Sequence, residues 1–231
     1  NKVIHQNWYL AAVYFFLHFQ YNGWFVFSCM GLLFYQLHKS GIIYKSSYRF
    51  FWLFAISCIP AYFLSVLWLK IPTWMYILVV TAAFAQVVAW VMFIKKIQRV
   101  KTLFFHSAKK VDVWLLSLSA LAFTIKLLLQ LGSTIPSLST LAFGFRSIVV
   151  GYLHLVFLGV VSLFIIGYCF LTKYFRFNRI NAKGALIFAG GVIVNELLLL
   201  FQSVAAINYV VIPYINEALL ASALILLLGL I

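Results

Sequence analysis

Apolar runs long enough to cross a bilayer follow one another along this chain, and they constrain its fold more than any other feature. A helix needs about 20 apolar residues to span a hydrocarbon core roughly 30 Å thick. Lipid admits only segments whose backbone hydrogen bonds close internally. The runs predict seven spans, at 8–36, 48–69, 73–94, 112–132, 146–171, 184–206 and 208–231. With 66% of the residues hydrophobic and only 9% charged, too few polar side chains remain to coat a soluble domain of this size. A transmembrane barrel would show alternating segments of about ten residues, and the sequence has none. The expected fold is an all-α polytopic membrane protein, a single transmembrane domain over 1–231 whose first partner is the lipid bilayer.

The net charge of +14 does not mark a nucleic-acid binder, because the basic residues fall between the apolar runs. The first connection holds Lys39, Lys45 and Arg49; the third holds Lys95, Lys96, Arg99, Lys101, Lys109 and Lys110; the fifth holds Lys173, Arg176, Arg179 and Lys183. Lys2, Lys70 and Arg146 fall on the other side, and Lys126 lies within a span. The positive-inside rule puts the heavily basic loops in the cytoplasm and the N-terminus outside. The setting this implies is a bacterial inner membrane. The loop at Ile135-Pro136 and the turn at Ile212-Pro213 are then external. Cys29, Cys58 and Cys169 sit inside apolar runs without CxxC spacing and read as packing residues. The chain opens with Asn1 rather than Met, as expected of a processed chain or a piece of a longer one.

Two histidines inside the apolar runs open the same phrase. His18 begins His-x4-Gly-x7-Gly with Gly23 and Gly31, and His154 begins it again with Gly159 and Gly167, at a constant offset of 136 residues. Leu17 and Leu153 precede them. Spans 1 and 5 both run from outside to inside, so both imidazoles lie in the outer half of the membrane, roughly 12 to 15 Å deep at about 1.5 Å per residue. The period is four helices, which makes a parallel repeat about the membrane normal, with repeat 1 at about 7–132 and an incomplete repeat 2 at about 145–231. On an α-helical wheel both glycines fall away from the histidine. The helix can then back closely onto a neighbour while the imidazole faces a cavity. A lone membrane histidine is otherwise commonly a hydrogen-bonding residue between helices.

The stretch Gly151-Tyr-Leu-His-Leu-Val-Phe-Leu-Gly-Val-Val-Ser-Leu-Phe-Ile-Ile-Gly167 resembles a motif helix of the haem–copper oxidase subunit I superfamily. It is nearest the branch of cbb3-type oxidases and nitric-oxide-response membrane haem proteins. Leu17-His-Phe-Gln-Tyr-Asn-Gly-Trp24 resembles the same phrase. The resemblance covers about 35 residues. It implies haem b held by His18 and His154 as axial metal ligands, with Lys126 or Arg146 pairing the haem propionates. The family's dinuclear centre needs further histidines that spans 2 and 6 lack, and Tyr152 stands where the family has the first His of His-x-His. The resemblance therefore implies a haem protein without an oxygen-reducing centre.

Only three residues are acidic. Asp112 opens span 4 and is expected to make an exposed pairing with Lys109 or Lys110. Glu196 and Glu217 lie within spans 6 and 7, and each follows an Asn. They read either as a proton pathway or as groups neutralised by Lys126 or by helix-to-helix hydrogen bonds. Lys126 shares a helix face with Gln130 and, near the outer end of its span, is expected to snorkel.

Three functions follow as expectations. The first is an integral membrane b-type haem protein for electron transfer or nitric-oxide/redox handling. The second is a proton-coupled secondary transporter using Glu196 and Glu217, for which Pro60 and Gly190-Gly191 are the candidate bends. The third is a non-catalytic membrane subunit or assembly factor with other membrane subunits as partners.

Overall fold

The computed structural model describes residues 6–42, 47–69, 71–106, 108–175 and 178–231. All regular structure among them is helical. Eight helices follow in order: α1 over 6–39, α2 over 47–66, α3 Thr73–Phe104, α4 Lys110–Gly132, α5 Pro136–Gly144, α6 Arg146–Leu171, α7 Arg179–Ile207 and α8 Ile215–Leu230. Of the orientation residues, Lys2, Lys45, Lys70 and Arg176 lie outside the described set, as does His5.

Among the described residues, five helices are long and apolar enough to cross a membrane: α2 from Arg49, α3, α4, α6 and α7. Two of the seven expected spans, the first and the last, are not among these five, for different reasons. Helix α1 has the length, but His18, Gln20, Asn22 and Gly23 dilute its middle with polar and small groups. Helix α8 is apolar but has only 16 residues, about 24 Å of rise against a core of roughly 30 Å. It begins at Ile215 rather than at 208, so the turn before it is longer than the sequence suggests. The loop expected around Ile135-Pro136 is largely the short helix α5, with Pro136 at its first position, where a missing N–H costs nothing.

Local sequence explains several boundaries. Helix α1 ends with Gly41 in the left-handed region (φ 75°), and the Ile42 N–H bonds back to the Leu37 carbonyl at 3.0 Å, a Schellman-type close. Pro60 removes a donor from α2, and the helix tightens into a 3₁₀ turn over Tyr62–Val66. The Asn178 side chain caps α7 by accepting the Asn181 N–H at 2.7 Å. Gly190-Gly191 introduces no break, since α7 is continuous through it.

The chain forms two compact units. One comprises Asn1–His106 and Leu127–Thr140, the other Ser107–Lys126 and Leu141–Ile231. A single domain with repeats at 7–132 and 145–231 draws its line after α4; the two units part within that helix, at Lys126. The core of the first unit is built on Ala61, Leu64, Val79 and Ala83. That of the second is built on Leu115, Leu163, Phe170, Phe188 and Val192. In the second unit α7 and α8 pack through glycines. A Cβ on Gly229 would lie 2.5 Å from the Phe188 nitrogen, and one on Gly184 would lie 2.9 Å from the Gly229 carbonyl oxygen. Such contacts are the usual device of membrane helix pairs, which gain little from burying apolar surface against each other.

Candidate functional site

Both histidines of the repeated phrase stand at the last α-helical residue before a π-helical segment. After His18 the helix is π over Phe19–Phe25, and after His154 it is π over Leu155–Ser162. Isolated π segments within α-helices recur at functional positions. This one appears twice, each time at the same place in the phrase. It also changes the helical wheel. With i→i+5 bonding, residue 23 comes nearly one full turn above His18, so Gly23 lies nearer the histidine's own side than an α-helix predicts.

Around His18, in the first unit, both ring nitrogens have partners, while the neighbouring Asn22 Oδ1 is buried without one. The side chain is 2% exposed. Nδ1 accepts from Asn22 Nδ2 at 3.1 Å, and Nε2 donates to the Cys58 carbonyl at 3.0 Å. The Cys58 thiol lies 3.9 Å from Nε2. Phe19, Tyr62 and Tyr21 surround the ring at centroid distances of 5.1, 6.1 and 6.2 Å. Tyr62 in turn donates to the Ala11 carbonyl at 3.0 Å, tying α2 to α1. This is a neutral imidazole with both nitrogens in use. It does not fit an axial ligand to haem iron, which needs one of those nitrogens.

His154, in the second unit, differs. Its Nδ1 is buried without a hydrogen-bond partner. The residue four positions on is Leu158 where the first copy has Asn22, and Leu158 packs against the apolar core instead. The expected close backing is present here. A Cβ on Gly159 would lie 3.1 Å from Ala122 Cβ, and one on Gly167 would lie 3.0 Å from Leu116 Cγ. In the first copy a Cβ on Gly31 would meet nothing, and one on Gly23 would meet only Phe19 of its own helix. The carbonyls loosened by the second π segment find hydroxyls: Ser119 donates to Val160 at 2.7 Å and Ser162 to Phe157 at 2.9 Å. His154 therefore keeps a ring nitrogen unpaired where His18 does not.

The other expected site residues lie apart from this picture. Lys126 does not snorkel: it is 2% exposed, with Nζ 5.6 Å from the Phe123 ring centroid. Arg146 is exposed and opens α6. Glu217 is exposed in the first turn of α8 rather than inside a span, because that helix starts late. Glu196 is half-buried in α7, and its Oε1 has no hydrogen-bond partner. Beside it, Asn195 Oδ1 accepts from the Ser222 hydroxyl of α8 at 3.1 Å. Asp112 is 3% exposed rather than surface-paired. Its Oδ2 accepts the Lys109 backbone N–H at 2.8 Å, the N3-to-N-cap half of a capping box. Among the described residues no three His, Cys, Asp or Glu gather to hold a bare metal ion.

Asn22 was visible in the sequence at i+4 from His18 and is the residue that distinguishes the two copies. The Cys58 carbonyl had no sequence signal, being backbone. No protein-family model, curated protein or solved structure matches the chain. The resemblance to oxidase subunit I thus rests on the two phrases themselves.

Proposed function

We propose that the protein is an integral membrane b-type haem-binding protein, with electron transfer or nitric-oxide/redox handling as its role, and that His154 supplies the axial ligand. The observation that supports this is the buried, unpartnered Nδ1 of His154, beside a π segment that α4 backs closely. An unsatisfied buried nitrogen costs about 1–3 kcal/mol, and an iron–imidazole bond is one way to satisfy that ring. When bound, haem supplies reversible one-electron chemistry tuned by its axial ligand and its surroundings. The chain's own part is to hold the His154 ring on a helix that Ser119 and the glycines fix against α4. It also keeps donors away from Nδ1 by placing Leu158 where Asn22 stands in the first copy. His18 is then a structural residue. In this reading the basic loops face the cytoplasm of a bacterial inner membrane.

Purified protein from haem-replete cells should show a Soret band. The band should persist in His18→Gln and vanish in His154→Ala. A folded wild-type protein free of colour and iron ends the proposal. A second reading, proton-coupled transport, draws on the unpartnered Oε1 of Glu196. Its test is proton-dependent uptake lost in Glu196→Gln.

A further inference from the structure

The first unit carries nine Lys and Arg residues and no Asp or Glu, because Asp112, Glu196 and Glu217 all belong to the second. Two of those cations, Arg49 and Lys96, line one groove between α1, α2 and α3. The groove is open on one side, with a cavity volume of about 50 Å³. Its walls are otherwise apolar: Leu37, Phe50 and Phe93 are buried in them, and Phe50 stacks on Phe93 at 4.7 Å. Met92 and Leu53 flank the opening and are exposed.

With the apolar stretches of α2 and α3 taken as the membrane-crossing parts, both cations fall at the headgroup end of them. Arg49 opens the apolar span of α2. In α3, about 20 residues from Thr73 cover the hydrocarbon core and end near Phe93. Lys96 comes just beyond, while Phe50, Phe93, Leu53 and Met92 fall at the level of acyl chains. Among the described residues the Arg49 guanidinium has neither a hydrogen bond nor an ion pair. A guanidinium and an ammonium on the walls of one groove are both chemically suited to a phosphate.

We propose that this groove binds an anionic glycerophospholipid, its phosphate between Arg49 and Lys96 and an acyl chain along Phe50 and Phe93. A free anion would use only the cations. The lipid supplies the counter-charge that the unit itself lacks, as basic pockets between membrane helices do elsewhere.

Native mass spectrometry on the full chain in detergent, titrated with phosphatidylglycerol or phosphatidylcholine, tests the site. Phosphatidylglycerol should bind at least about tenfold more tightly. Arg49→Gln should weaken it about fivefold, and Arg49→Gln with Lys96→Gln about 25-fold. Arg179→Gln with Lys183→Gln, in the other unit, should leave it unchanged. Equal binding of the two lipids overturns the proposal, as does an unchanged affinity in the double variant or an equal loss in the control. If the double variant loses its helicity, Arg49→Gln decides alone, since its side chain is exposed.

Discussion

Asn22 holds His18 by a hydrogen bond from its amide to Nδ1, 3.1 Å long and wholly buried. Asn22 lies in the π segment that follows His18, and the pair fixes the tautomer: with Nδ1 accepting, Nε2 carries the proton that goes to the Cys58 carbonyl.

Asn22→Ala should therefore leave a buried acceptor on His18 without its donor and destabilise the first unit by about 1–3 kcal/mol. Thermal unfolding in detergent, followed by far-UV circular dichroism, reads this. An unchanged midpoint would show that the amide bond contributes nothing.

Ser119→Ala should cost a similar amount, about 1–3 kcal/mol, because the Val160 carbonyl in the second π segment loses the hydroxyl at 2.7 Å. Thr81→Ala is the control: its hydroxyl bonds only to Ile77 within its own exposed turn. The Ser119 variant should unfold at the lower temperature of the two.

Gly229→Ala should separate α7 from α8, since the new Cβ would fall on the Phe188 backbone rather than on a side chain that can move. Overpacking of this kind costs about 1–3 kcal/mol. Gly190→Ala, whose Cβ would meet nothing, should be neutral or stabilise α7 by up to about 1 kcal/mol. Limited proteolysis of the two variants should rank them in that order.

Lys126 should resist a water-soluble amine-acetylating reagent that modifies exposed Lys95 in the native protein, and should react only after denaturation. Peptide mass mapping distinguishes the outcomes. Native labelling of Lys126 would mean that its side chain reaches water after all.

The helical membrane-type architecture was legible because runs of about 20 apolar residues have few alternatives. Span ends were less so: hydropathy alone does not place the start of α8 at Ile215. The phrase at His18 and His154 located both π segments without revealing them, because backbone winding leaves no compositional mark. Its two copies looked alike at the histidines and glycines and differ at Asn22 and Leu158, positions the motif treats as variable. Lys126 was misplaced for a related reason. Depth along a helix suggests snorkelling, but the face a residue presents is decided by packing.

A π segment is a helix carrying one residue more than an α-turn needs. Removing a single residue from Phe19–Phe25 should let that stretch wind as ordinary α-helix while the segments before and after keep their facing. The same deletion in the middle of α3 would turn everything beyond it by about 100°, the α-helical rotation per residue. The stretches beside the two histidines are thus the places where this chain can lose a residue without losing its register.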